Sequence, residues 1–387
     1  MTPRFLSRWL PALALSITVA SLVAACGGGD DFTVRETKLT TTQEVEEVHS
    51  LATGIGVLTL NTDRGDLSGL VTVSGMTPTM AHIHSGVAGT NGAVLIDLVQ
   101  VSGQANQYRV PDNTVLNPAQ IAAFKSGGLY LNVHSAAFPN GEVRGQINRE
   151  VQLARLSGLQ ELEQNKSTAS GLGVIAVDPD SRNAEVTVTY AGLTPTMAHL
   201  HTGAIGTKGD VLIDMAAAGA GKYTGSKVLT DAQLADFRAK RQYFNVHTAA
   251  FPDGEIRGQI GYQVRIASMT GAEESPPVVT ASTGIGFYAF DPDSGKPFSA
   301  FGQMTLTGFT PTMAHVHRGP RGSNGDVITN FVRDTTQPTL QVYRTPANTT
   351  LAESDALLLV KDGLYLNAHS AAHTGGEVRG QLAANKK

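Results

Sequence analysis

Nine of the eleven histidines in this 387-residue sequence fall into one pattern that occurs three times. Each copy reads Met-Ala-His-x-His, with a lone histidine roughly fifty residues later. The members are His82, His84 and His134, then His199, His201 and His247, then His315, His317 and His369. The first histidines of successive copies stand 117 and 116 residues apart. Such regular spacing over so much chain means one folding unit built three times, each copy about the size a single hydrophobic core can stabilise.

The rest of the unit repeats with the histidines. Each copy opens on a short acidic segment, Gln43-Glu44-Val45, Gln160-Glu161-Leu162 or Ala272-Glu273-Glu274. A glycine-punctuated strand follows, such as Gly54-Ile55-Gly56-Val57, and then a turn such as Asp178-Pro179-Asp180-Ser181. The next segment, Glu185-Val186-Thr187-Val188-Thr189-Tyr190 in copy two, alternates with β-branched residues and reads as a half-buried strand. Thr-Pro-Thr-Met-Ala-His-x-His comes next, then a Gly-rich loop without the Gly-Lys-Ser/Thr ending of a phosphate loop, then a short strand, Val94–Asp97 in copy one. The one helical pattern precedes the third histidine: Asn117 as cap and Pro118 at the first helical position, with Thr230-Asp231 and Glu353-Ser354 at the same place in the later copies. Many short strands, 42 glycines and one small helix per copy predict an all-β protein. We expect three tandem β-sandwich or Greek-key barrel domains over 37–150, 151–263 and 264–384. They follow a tether at 26–36 and touch one another, since no Pro- or Ser-rich linker separates them.

Ala-His-x-His-x-Gly with Asn-Gly after it, then Leu-Tyr-Leu-Asn-x-His and Gly-Glu-Val-Arg-Gly-Gln, resemble the CHRD (chordin-type) domain. The resemblance covers almost all of 37–384, three times over. It implies a β-sandwich domain of secreted or surface proteins, without fixing a biochemical role. His-x-His on one strand plus a later histidine also resembles, more faintly, the copper half of copper-zinc superoxide dismutase, as does the glycine-flanked arginine strand. The bridging histidine, the zinc ligands and the disulfide of that enzyme have no counterpart here.

Read physically, His82 and His84 share one face of a strand, because residues i and i+2 point the same way. Ala81 and Ile83 take the other face. Met80 joins the histidine face, as Met197 and Met313 do in the later copies, either as a further soft ligand or as core filler. His134 would arrive from a later strand. Three neutral imidazoles suit copper or zinc, and copper binds most strongly of the first-row divalent ions. The alternative is structural: the imidazoles hydrogen-bond across a sandwich edge and hold no metal. Asn132, Asn245 and Asn367 share a face with the third histidines. The pairs Glu142 with Arg144, Glu255 with Arg257 and Glu377 with Arg379 share strand faces too. Glutamate there could orient a ligating histidine and arginine attract an anion, or each pair could be a plain surface ion pair. His49 and His373 have no counterparts and read as surface residues.

The first 25 residues read as a leader: Arg4 and Arg8, an apolar run from Trp9 to Ala25, then Val23-Ala24-Ala25-Cys26. That ending resembles a bacterial lipobox, which implies cleavage before Cys26 and acylation of the chain's single cysteine. Gly27, rather than aspartate, after the cysteine favours the outer membrane. Without Arg4 and Arg8 the formal charge, −4 for the whole sequence, becomes two units more negative. Nucleic acid, which calls for a basic surface, is therefore excluded as a partner. Three functions remain. The first is an envelope lipoprotein binding a metal, copper before zinc, in each domain. The second is a copper redox enzyme acting on superoxide or peroxide. The third is a surface scaffold that binds protein or polysaccharide.

Overall fold

The computed structural model describes residues 31–384. The leader and Cys26 lie outside the described residues. In the first domain the elements are β1 (Phe32–Thr40), β2 (Thr53–Asn61), β3 (Leu67–Ser74), β4 (Pro78–Ser85), β5 (Val94–Asp97), β6 (Val99–Gln100), β7 (Gln107–Arg109), α1 (Pro118–Ser126), β8 (Leu129–Ser135) and β9 (Val143–Gln146). The strands pair in the order β5-β4-β8-β9-β1-β2-β3-β7-β6, and every pairing is antiparallel. The two ends of that path, β5 and β6, are separated only by Leu98, so they are halves of one segment and the sheet curls into a barrel. In the second domain the matching strand, Val211–Ala217, is unbroken and pairs on both sides, which closes eight strands into a barrel. The third domain repeats the first, with Phe331 between the two end strands. The expected all-β class, with three tandem copies and one short helix in each, is what forms.

The glycines of the second strand have a packing reason. A Cβ on Gly56 would stand 2.3 Å from Leu131 Cδ1, on Gly173 2.3 Å from Phe244 Cδ2, and on Gly286 2.7 Å from Leu366 Cδ1. A large residue of the third-histidine strand thus crosses the barrel and rests on bare backbone. The helices start where the caps predict. Asn117 with Gln120, and Thr230 with Gln233, form reciprocal capping boxes, whereas Ala352 gives the third helix no side-chain cap.

Three boundaries differ from expectation. Gln263, assigned to the second domain, begins the strand Gln263–Thr270, which pairs with Thr283–Phe290 of the third. Residues 32–36, assigned to the tether, form the first half of β1, because they pair with Val57–Asn61 of β2. Glu150, assigned to the first domain, begins a strand that pairs with Ser170–Val177 of the second.

The domains pack head to tail. Val45 and Ala88 of the first cover an apolar patch of the second, Val151, Leu153, Leu172, Val174 and Ala176. Leu162 and Gln164 of the second meet Gln303 and Thr305 of the third. The first and third also touch, through Lys38 with Asp293 at 2.7 Å and Gln263 with Thr41 at 3.2 Å. A polar cavity of about 560 Å³ lies where all three meet, and the buried Lys240 reaches Asp293 at 2.8 Å along its wall.

Candidate metal centre

The site starts from the alternation of β4. Ala81 and Ile83 sit in the barrel core at 1% and 0% exposure, so His82 and His84 stand on the outer face. β8 pairs with β4 so that Met80 lies opposite His134, His82 opposite Asn132 and His84 opposite Tyr130. The third histidine is thereby delivered to the pair. One nitrogen from each of His82, His84 and His134 lies within 4.8 Å of the other two. His199, His201 and His247 meet in the same way, as do His315, His317 and His369.

The remaining nitrogens decide which atoms are free. His84 Nδ1 donates to Gly92 O at 3.0 Å and His134 Nδ1 to Pro139 O at 2.9 Å. The second copy repeats this with His201 to Gly209 O and His247 to Pro252 O, both at 3.0 Å. The third repeats it with His317 to Gly325 O and His369 to Thr374 O, both at 2.9 Å. Each carbonyl fixes the proton on Nδ1 and leaves the Nε2 lone pair exposed. Nε2 of His84, of His201 and of His317 is buried and has no hydrogen-bond partner. His82 Nδ1 faces His134 Nε2 at 3.0 Å; the later copies show 3.1 and 3.2 Å. Ligand nitrogens of a tetrahedral zinc site stand about 3.3 Å apart, given Zn–N bonds near 2.0–2.1 Å. One edge of such a site is already in place, and a modest inward swing of the second histidine completes it.

A second layer holds the second histidine flat. Tyr130 of β8 lies between β4 and β9, with His84 stacked on its ring at 4.9 Å and 8° and the Arg144 guanidinium 3.6 Å from its centroid. The stacks His201–Tyr243–Arg257 and His317–Tyr365–Arg379 match it. Arg144 donates to Thr90 O at 2.8 Å and Val87 O at 3.1 Å, and the Tyr130 hydroxyl accepts from Gly92 N at 3.1 Å. These bonds fold the loop after β4 back over the barrel and set the carbonyl that holds His84. Gly92 is needed for the fold-back, since a Cβ there would lie 1.4 Å from Ser85 O.

Several expected roles change. Arg144, Arg257 and Arg379 are buried at 1–3% exposure and occupied with loop carbonyls, so they are not surface ion pairs. Glu142 accepts from Ser50, Glu255 from Ser167 and Thr248, and Glu377 from Thr280, Ser282 and Ser370. Each glutamate thus pins a neighbouring loop rather than orienting a histidine. Glu142 precedes β9, which starts at Val143, so strand alternation does not govern it. Met80, Met197 and Met313 are 42–49% exposed, which rules out core filling. They lie on the histidine face, in register with the third histidines. His49 and His373, read as surface residues, are half-buried.

Sequence reasoning missed the buried carboxyls. Asn132, Asn245 and Asn367 meet Glu44, Glu161 and Glu274 of the opening acidic segments. The contact is explicit in copy three, where Asn367 Nδ2 donates to Glu274 Oε1 at 2.9 Å. Burial pushes Glu44 and Glu161 up to about 8 and Glu274 up to about 7. Also missed were Asp97 and Asp214, whose carboxylates lie 3.4 Å and 3.5 Å from Nε2 of His82 and His199. The repeat could have shown the aspartates, which stand fifteen residues after the first histidine in copies one and two, and the glutamates, which recur in the opening segment of every copy.

Burial lowers His134, His201 and His315 to about 4, and also lowers His84, His199, His247 and His317. Neutral imidazole is the metal-binding form. In the unfolded chain these groups titrate near 6.5, so below that pH the unfolded state takes up protons that the folded state refuses. Stability is therefore lost as pH falls from about 6.5 toward 4. The three raised glutamates act oppositely: their contribution is present below the ordinary carboxylate range and lost as pH rises toward 7 or 8. Replacing Glu44, Glu161 and Glu274 with glutamine removes the opposing contribution. We expect the Tm of that metal-free variant to fall steadily between pH 6.5 and 4; a flat profile would remove the neutral-imidazole assignment.

The model of the CHRD domain matches the chain at residues 35–147, 153–260 and 266–382. Comparison with curated proteins and with solved structures finds no match. Most of the chain is covered, and each matched copy carries one complete histidine triad, so the chain belongs to the CHRD domain family as three tandem copies.

Proposed function

We propose that this chain is a membrane-anchored envelope lipoprotein in which each CHRD domain holds one metal ion through its three histidines, copper in preference to zinc. The observation that carries the reading is the buried, unpartnered Nε2 of His84, His201 and His317. A purely structural histidine would satisfy that nitrogen, since leaving a buried polar group unpaired costs about 1–3 kcal/mol. The same unpaired atom at the same place in three copies is instead what a ligand awaiting its ion requires. His82 Nδ1, His84 Nε2 and His134 Nε2 would hold the ion. Its other positions would remain open, and the ion would supply Lewis acidity or one-electron chemistry there.

Copper is preferred because it heads the affinity order for nitrogen donors. The exposed Met80, Met197 and Met313 also place a thioether on the face of each triad, at the strand position opposite the third histidine. We favour binding or buffering over turnover because the arginine beside each site is tied to loop carbonyls and offers no hand to an anionic substrate. Acylation of Cys26 would keep the three sites at a membrane, with the outer membrane favoured.

Titration of the metal-free, full-length chain with Cu(II), and separately with Zn(II), tests the reading. Three equivalents per chain are expected, with copper displacing zinc. Uptake of none, or uptake indifferent to loss of the triads, would overturn it.

A further inference from the structure

The three sites differ at one position. Asp97 stands opposite His82 in the strand register, and Asp214 opposite His199; in the third copy the residue opposite His315 is Asn330. We propose that Asp97 and Asp214 are positioning residues that prime the first two sites, and that Asn330 makes the third site the weak one. This rests on the metal reading above for its consequence, though not for its structural content.

His134 keeps its proton on Nδ1 for Pro139 O, so its Nε2 can only accept or ligate. His82 Nδ1 faces that Nε2 at 3.0 Å. If His82 carries its proton on Nδ1, it donates to His134, and two of the three ligand atoms are consumed by one hydrogen bond. If it carries the proton on Nε2, the Nδ1 lone pair joins those of His84 and His134. The Asp97 carboxylate lies 3.4 Å from His82 Nε2, and its negative charge favours a proton on that nitrogen and hence the second arrangement. Asp214 does the same for His199 at 3.5 Å. Each carboxylate also adds negative charge beside a bound cation. Asn330 brings no charge, so His315 keeps its proton on Nδ1 and donates to His369 Nε2 across 3.2 Å. An ion entering the third site must break that bond and move the proton.

Asp97 and Asn330 are exposed, so exchanging them does not disturb the core. Outer partners of ligating histidines typically change metal affinity about 10- to 100-fold. Cu(II) titration of the full-length chain against a competing chelator should therefore show two tight equivalents and one at least about 10-fold weaker. Asn330→Asp should tighten the third equivalent by that factor, and Asp97→Asn should loosen one of the tight pair. Nitrogen-15 NMR of the metal-free chain with labelled histidine gives a readout independent of any ion. The tautomer with its proton on Nε2 should be more populated at His82 and His199 than at His315, where the Nδ1 proton bonded to His369 dominates. Three equal affinities unchanged by Asn330→Asp, or a His315 protonated at Nε2 like the others, would overturn the inference. A chain that shows the expected proton pattern but binds no metal would support the inference and refute the function proposed above.

Discussion

Replacing Arg144 with methionine should destabilise the first domain by about 3 kcal/mol or more, the range for breaking a buried, hydrogen-bonded charge. Methionine has nearly the reach of arginine, so the loss is one of bonds rather than of volume. Thr90 O, Val87 O and Gln146 Oε1 would lose their donor, and the Tyr130 ring would lose the guanidinium 3.6 Å from its centroid. For a domain of this size such a loss lowers Tm by more than roughly 10 °C. Lysine should rescue only in part, because an ammonium cannot supply the planar fork that bridges two loop carbonyls and a side-chain amide. The loop it anchors carries Gly92, so the same substitution should also release His84 from its carbonyl. Thermal unfolding of the variant checks this. A change below about 1 kcal/mol would mean the stack is not what holds the loop.

The second large effect is on metal. His134→Ala removes one of three nitrogens and also the partner of His82 Nδ1. If a complete nitrogen and sulfur site yields about 10–16 kcal/mol, each ligand accounts for a few, and its loss weakens binding by about 100-fold or more. The expected result is a chain that retains two equivalents and loses the third under chelator competition. The intact copies, each with its own triad, should be unaffected. Loss of all binding would point to a single shared site, and unchanged binding would place the ion away from the triad.

How much of this was readable in advance follows from the kind of information each feature needs. The barrel class, the three copies and the histidine triads rest on period and local chemistry. Alternation put Ala81 and Ile83 inside and His82 and His84 outside, and caps at Asn117 and Thr230 placed two helices. Pairing across strands was harder. That His134 meets His82 depends on the β4–β8 register, which no single strand encodes. Glu142 and Arg144 were expected to act together by the i, i+2 rule. Glu142 lies before the strand begins, and Arg144 is claimed by a loop some fifty residues earlier in the chain. Met80 was weighed as core filler because methionine packs so readily, yet its position on the outer face leaves it exposed. The buried Glu44 looked like part of an ordinary acidic opening. Its environment comes from Asn132 and Arg144, far along the chain.

Anomalous diffraction at the copper edge from crystals of the copper-loaded protein tests the central claim most directly. Three peaks per chain are expected, one per domain. Each should lie about 2.0–2.1 Å from His Nδ1 of the first histidine and Nε2 of the second and third, ordinary distances for imidazole on such an ion. Peaks at other residues, or triads that keep the hydrogen bond between first and third histidines with no ion between them, would contradict it.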